Sequence, residues 1–370
     1  MKFIFRTDAS VQIGAGHVMR CITVAEYLRS KGHQCEFICK DLVGNLSSRI
    51  SKAGFLCHLI TKNDKQLCNE NKFNEGDYSD CSDVCIALDA GQTIGIVKND
   101  KVDWLIVDNY SLDDRWEAQL TDYVDRIMVI DDLANRCHCC DLLLDQTFDR
   151  NAFAYNGLVT NHVTMLCGSN YILLRPEFFE FRGASLARRE VPVFKNLLVS
   201  LGGMDENNIT SSVLKILPGA SLPQDLRITV LLEETAPWLS SVHKLASLLP
   251  WDAKVLSSVD NVAELMMQSD LAIGAAGTSS WERCSLGLPT ILLVLAENQQ
   301  EIARKLLHHG AVLSVDNVNN LDAELIEILS RIHEAPHLLA DMSKAASSVI
   351  VANGLDALSE KLEGNLRADS

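Results

Sequence analysis

The sequence predicts an α/β protein made of two doubly wound, Rossmann-like halves. Three observations predict it. Apolar runs of strand length alternate with segments of helical spacing along most of the 370 residues. Each half opens as strand, glycine loop and helix, with Gly14-Ala15-Gly16 in the first and Gly202-Gly203 in the second. The apolar runs also end in polar or acidic residues. In parallel α/β sheets, ligands bind outside those carboxyl ends.

The first element is the run Phe3-Ile4-Phe5-Arg6, a strand. The loop after it ends in Gly14-Ala15-Gly16-His17-Val18-Met19-Arg20-Cys21. Val18, Cys21, Ile22, Ala25 and Leu28 then fall on one helix face, and Gly32 ends the pattern. His17 therefore stands at a helix start. Glycines there let backbone N–H groups approach a ligand, and a helix N-terminus favours a phosphate. A histidine beside that anion can transfer a proton. The motif is not a completed Gly-x-Gly-x-x-Gly, because Met19 stands at the third glycine.

Strands are expected at 34–39, 55–60, 104–107, 126–130 and 142–144, and helices at 42–53, 84–97 and 112–123. The stretch 62–80, rich in Asn, Asp and Lys, reads as a loop. Strand 104–107 ends at Asp108-Asn109-Tyr110, where an aromatic hydroxyl can face the ligand crevice. Asp131 and Asp132, after the next strand, read as loop caps. Residues 151–193 form a passage between halves. Within it Arg175, fixed in extended backbone by Pro176, can contact a substrate oxygen or pair with Glu177.

The second half begins at Leu197-Leu198-Val199-Ser200-Leu201 and runs into Gly202-Gly203-Met204-Asp205. Further strands are expected at 227–232, 254–256, 271–273 and 290–294. A second glycine loop, Gly274-Ala275-Ala276-Gly277-Thr278-Ser279-Ser280-Trp281-Glu282, leads into a helix. Thr278 or Ser279 can cap that helix and bind phosphate. Glu282 can take both ribose hydroxyls, or serve as a capping-box glutamate. Glu297-Asn298-Gln299 follows the next strand. The domains expected are 1–180 with the catalytic histidine, 190–350 for nucleotide binding, and a C-terminal helix or tail at 351–370.

Composition narrows the function. A formal net charge of −16 argues against a nucleic-acid or anionic-membrane surface, though a local basic pocket can still hold phosphate. No run reaches transmembrane length and the apolar start is too short for a signal peptide, so a cytoplasmic protein without membrane insertion is expected. The twelve cysteines are scattered through apolar runs and read as buried thiols rather than disulfides. Cys137-His138-Cys139-Cys140 lacks the spaced pairs of a structural zinc site.

Two doubly wound halves facing a central cleft are the GT-B architecture. Within it the chain resembles the UDP-2,4-diacetamido-2,4,6-trideoxy-β-L-altropyranose hydrolase family of pseudaminic acid biosynthesis. The resemblance rests on 14–21, on Val107-Asp108-Asn109-Tyr110, on Asp131-Asp132-Leu133-Ala134 with 141–146, and on Leu173-Leu174-Arg175-Pro176-Glu177-Phe178. It continues through 200–205, 274–289 and Glu297-Asn298-Gln299. These occur in family order to about residue 310.

The resemblance implies that water replaces UDP at the anomeric carbon with inversion, without metal or cofactor. It implies His17 as general base, with Tyr110 and Asn298 near the sugar and attacking water. Gly277, Thr278, Ser279 and Glu282 would hold pyrophosphate and ribose, as in the related peptidoglycan N-acetylglucosaminyltransferase. Gly14, Gly16, Arg20, Arg175 and Gly203 complete the expected substrate contacts. The family carries His in the middle of the Asp-x-Tyr motif where this chain has Asn109, so position 109 takes no role from it. A glycosyltransferase of the same fold, using a UDP-sugar donor, is the rival reading. A nucleotide-sugar sensor without chemistry is the third.

Overall fold

A computed structural model describes residues 1–61, 82–257, 259–315 and 320–364. The loop expected at 62–80 lies outside them. The chain divides into two units, Met1–Leu174 with Ala352–Ser370, and Arg175–Val351.

The first unit has strands β1 (Lys2–Thr7), β2 (Gln34–Lys40), β3 (Leu56–Ile60), β4 (Trp104–Asp108), β5 (Ile127–Ile130), β6 (Leu142–Asp145) and β7 (Thr164–Cys167). They form one sheet in the order β3-β2-β1-β4-β5-β6-β7, with every pairing parallel. Its helices include α1 (Gly16–Ser30), α2 (Ser47–Lys52), α3 (Asp83–Val97) and α4 (Asp114–Glu117). A parallel sheet is covered on both faces, so its strands are apolar throughout and period two sorts their side chains. Phe3, Phe5, Trp104 and Ile106 pack on one face with Val18, Cys21, Ala25 and Leu28 of α1. Ile4, Leu105 and Val107 pack on the other with Ile86, Ala90 and Trp116.

The second unit repeats the plan. Its strands are β8 (Asn196–Ser200), β9 (Arg227–Leu232), β10 (Asp252–Ser257), β11 (Leu271–Ala275), β12 (Thr290–Leu293) and β13 (Val312–Val315). Their order is β10-β9-β8-β11-β12-β13, again all parallel. Its helices are α5 (Pro176–Arg189), α6 (Ile209–Ile216), α7 (Leu239–Ala246), α8 (Val262–Gln268), α9 (Ser279–Ser285), α10 (Gln300–His308), α11 (Leu321–Glu334) and α12 (His337–Val349). In each sheet the strand order reverses beside the first strand, at β1/β4 and at β8/β11. These are the switch points where doubly wound sheets open a crevice.

Two expected helices are shorter than their apolar spacing implied. Helix 42–53 contracts to α2, because Gly44 sits at φ +81° in a turn closed by Asn45 N–H donating to Leu42 O. Helix 112–123 contracts to α4, after which Gln119 and Leu120 donate three residues back, to Trp116 and Glu117, and the segment runs on as turns. Nine described cysteines are free thiols, but Cys85 is disulfide-bonded, against the expectation from the sequence. His138 is fully buried against Glu117, 2.8 Å from Nδ1 to Oε1. No described helix is long and apolar enough to cross a membrane.

The last helix, α13 (Gly354–Glu363), returns to the first unit. Leu355, Leu358 and Leu362 enter the core beside Trp104, whose indole N–H donates to Leu362 O at 3.0 Å. Tyr27 hydrogen-bonds Asp356. Gly354 fits because it has no side chain: a Cβ would lie 2.3 Å from Tyr171 C and 2.5 Å from Ile172 O. Gly354→Ala is expected to destabilise the protein by about 1–3 kcal/mol, since backbone on the far side cannot step aside. Chemical denaturation checks this; an unchanged midpoint would show that α13 carries no packing strain.

Candidate functional site

At the switch point of the first unit, Thr7 at the end of β1 pairs in register with Asp108 at the end of β4. After β1 the chain turns through Ser10 to Gly14, closed by Gly14 N–H to Ser10 O at 2.9 Å. Gly14 sits at φ +80°, a conformation that favours glycine. Gly16 then begins α1, which carries His17 and Arg20 onto the end of β4.

His17 is buried, and its Nδ1 lies 2.6 Å from Asp108 Oδ1. Arg20 holds the same carboxylate with a fork, Nε to Oδ2 at 2.6 Å and Nη2 to Oδ1 at 2.7 Å. Arg20 Nη2 also approaches His17 Nδ1, at 3.3 Å. Nδ1 cannot both donate to the carboxylate and accept from the guanidinium. The shorter contact, to a full negative charge, decides that Nδ1 carries the proton. In the neutral form of the ring the lone pair then lies on Nε2, the tautomer a base needs. Tyr110 stacks edge-on against the imidazole, centroids 4.4 Å apart, and fixes its plane.

Charge organises the rest. Burial pushes the Asp108 carboxyl up, but Arg20 and then His17 more than reverse this and hold it well below the usual carboxylate range. Arg20 Nη1 reaches on to Asp132 Oδ2 at 3.2 Å, and the Tyr110 hydroxyl donates to Asp132 Oδ1 at 2.5 Å. Burial, with Asp132 beside it, keeps that phenol protonated. Asp8 accepts from Arg6 at 2.6 Å and from Asn109 Nδ2 at 2.7 Å. Asp8, Ile13, His17, Asp108, Asn109, Tyr110 and Ser111 together line a cavity of about 20 Å³.

This corrects two readings. Asp132 is more than a loop cap, since it joins Tyr110 to Arg20. Asn109, which took no role from the family pattern, is buried and ties Asp8 to the backbone of Ser111. Sequence reasoning missed Asp8 and Asp108. The signal for Asp108 was present: His17 and Arg20, three apart, share one helix face and need an acid opposite when that face is inside.

The remaining expected residues fall in the second unit. At its switch point Ser200, ending β8, pairs with Gly274 of β11. Gly203 follows Gly202, which sits at φ +103°. Asp205 then caps α6 by accepting from Ile209 and Thr210 N–H at 2.9 and 2.8 Å. Gly277, Thr278 and Ser279 lead from β11 into α9. Thr278 does not cap with its side chain: its backbone is already helical, φ −57° and ψ −31°, and no cap bond forms.

Glu282 is no capping-box residue either, since its Oε1 lies 3.7 Å from Arg175 Nη2. Burial pushes its carboxyl up against the pull of Arg175. Arg175 pairs with Glu177 at 2.8 Å, one of the two options its sequence context left open. Asn298 lies in the turn Glu297–Gln299 that precedes α10. The structure thus gathers Gly14, Gly16, His17, Arg20 and Tyr110 in one unit. Gly203, Arg175, Gly277, Thr278, Ser279, Glu282 and Asn298 lie in the other.

The Glycosyltransferase family 28 C-terminal domain matches residues 207–358. The crystal structure of MurG from Acinetobacter baumannii superposes with a TM-score of 0.68 over 98% of this chain and 99% of that one, at 13% identity.

The fold is GT-B.

Within GT-B proteins the chain resembles the UDP-2,4-diacetamido-2,4,6-trideoxy-beta-L-altropyranose hydrolase of Campylobacter jejuni. The two are 25% identical over 312 residues, 84% of this chain and 97% of that protein. An uncharacterised protein of Methanocaldococcus jannaschii is also 25% identical over 81% of this chain, but the match spans only 57% of its own length.

Proposed function

We propose that this GT-B chain hydrolyses a UDP-linked 2,4-diacetamido-2,4,6-trideoxy-L-altrose, giving UDP and the free sugar with inversion, as in pseudaminic acid biosynthesis. The observation that carries the proposal is the His17–Asp108–Arg20 arrangement, which ties Nδ1 to a carboxylate and leaves Nε2 as the nitrogen free to act on water. The likeness to the Campylobacter hydrolase supplies the substrate class.

In this reading His17 Nε2 takes a proton from water as the water oxygen bonds to the anomeric carbon. The C–O bond to the β-phosphate breaks, and its electron pair leaves with UDP. UDP is a stable anion and needs little protonation, so one base replaces the usual pair of carboxylates. Asp108 stabilises the imidazolium that forms, and Arg20 keeps Asp108 ionised. Tyr110 and Asn298 are assigned to the sugar and water. Gly203, Gly277, Thr278 and Ser279 are assigned to the diphosphate, and Glu282 to the ribose hydroxyls. Nothing in this scheme needs a cofactor, a nucleic acid or a membrane partner.

Incubating the protein with the UDP-sugar and no acceptor is expected to release UDP and free sugar in equal amounts. NMR of the first-formed anomer should show inversion. Retention of intact donor until an acceptor is added would make the protein a transferase. No turnover under either condition would leave a binding protein.

A further inference from the structure

Arg283 lies beneath the glycine turn of the second unit, with the Glu282 carboxylate beside it in sequence attracting it without a direct ion pair. Arg283 is 1% exposed. Its Nη2 donates to Ala275 O at 2.7 Å and to Ser280 Oγ at 3.0 Å, and its Nη1 donates to Ser279 Oγ at 3.0 Å. Its Nε has no partner. No described carboxylate forms an ion pair with it.

Two other buried arginines, Arg6 and Arg20, differ. Arg6 sits between Asp8 and Asp89, and Arg20 between Asp108 and Asp132. Burial lowers both, but the carboxylates reverse it and raise them above the usual arginine range. Arg283 is instead pulled down by burial to about 10, still charged at neutral pH. Arg189, buried on α5, also bonds carbonyls alone, those of Leu286, Ser269 and Met266, and burial lowers it to about 9, but none of these groups belongs to the 274–280 turn. The chain has also made room for the guanidinium against the turn itself: a Cβ at Gly274 would meet Arg283 Nη1 at 2.6 Å.

We propose that Arg283 is a positioning residue that makes the 274–280 turn selective for a diphosphate over a monophosphate or an uncharged nucleoside. This rests on the nucleotide reading given above and deepens it. Two effects act together. A hydroxyl oxygen that accepts from a cation keeps its own proton for a further acceptor. Ser279, half-buried, thus becomes an oriented donor toward an anion at the turn, while Ser280 and Ala275 O fix the fork. A guanidinium held without a direct ion pair also adds positive potential at the turn in a low-dielectric setting, which favours a diphosphate there.

The consequence is a separation of charge from shape. Arg283 should matter for UDP, less for UMP, and not for uridine. It should also burden the ligand-free protein, since a buried charge without a direct ion pair is costly. A residue that merely packed the turn would weaken all three ligands and lower stability as well.

Titration calorimetry of the full chain with UDP, UMP and uridine, for the unaltered protein, Arg283→Met and Arg283→Lys, tests this. Arg283→Met is expected to weaken UDP about tenfold or more, to leave uridine within about twofold, and to melt no lower than the unaltered protein without ligand. Arg283→Lys, which keeps the charge but not the fork, should fall between. Equal weakening of UDP and uridine, or no weakening of either, overturns the proposal. So does failure of both variants to fold, because the empty protein would then need the charge. If the unaltered protein binds no UDP, the nucleotide reading fails and this inference falls with it. If it binds UDP and Arg283→Met binds it equally well, only the inference fails.

Discussion

His17→Ala is expected to lower kcat by about 10²–10⁴-fold while UDP affinity stays within about twofold. The imidazole is assigned to the water, and the diphosphate contacts are assigned to the other unit, so removing the ring should empty the base position without touching nucleotide contacts. Its plane is set by Tyr110 and its tautomer by Asp108, so neither neighbour can replace it as a base. Tyr110 is held protonated, and Asp108 is held ionised by Arg20 and turned away into their fork. Steady-state turnover and UDP titration measure the two quantities separately. A loss of UDP affinity matching the loss of rate would make His17 a binding residue.

Asp108→Asn should have an effect of similar size on kcat and a second one on stability. The amide cannot stabilise an imidazolium as a carboxylate does, and it can present its N–H₂ to Nδ1, forcing the wrong tautomer. A loss of two to four orders of magnitude is therefore expected, in about the range for a lost base. The same change leaves Arg20 buried with only Asp132, 3.2 Å away. Breaking a buried pair this way costs about 3 kcal/mol.

The acid side of the stability curve gives an independent check on Asp108. Its carboxyl is depressed in the folded state, so the stability it contributes is complete above the unfolded carboxyl value of about 3.9. That contribution drains away as pH falls toward the folded value. The unaltered protein should lose stability more steeply below about pH 4 than Asp108→Asn does. Urea melts at several pH values measure this. Parallel curves would mean that the pair is already broken in solution.

Much of the architecture could be read from residue pattern. Trp104 to Val107 is fully apolar because both faces of its sheet are covered, and a run that short and that apolar fits a buried parallel strand better than any loop. The glycine turns at both switch points were visible because strand, glycine loop and helix follow each other there in that order. Short elements with mixed polarity were not. β7 and β13 are four-residue strands with partly exposed members, and their spacing alone does not separate them from loop.

At the site, His17 and Tyr110 stand out because local motif and strand end mark them. The acids that complete it do not, since Asp108 meets Arg20 across 88 positions of sequence and only through the register of β1 on β4. Arg175 shows the opposite limit. Its context allowed either a substrate contact or a pair with Glu177, and the geometry supplies the pair.

The route of α13 has a consequence for biosynthesis. Leu355, Leu358 and Leu362 are part of the same apolar interior as α1, which bears His17, yet they leave the ribosome after every residue of the second unit. Nascent chains ordinarily consolidate their amino-terminal domain first. Here the leading domain must wait, unsealed, while the trailing one is completed. Chaperone dependence and premature stop codons near the end should therefore be felt most in the half made earliest.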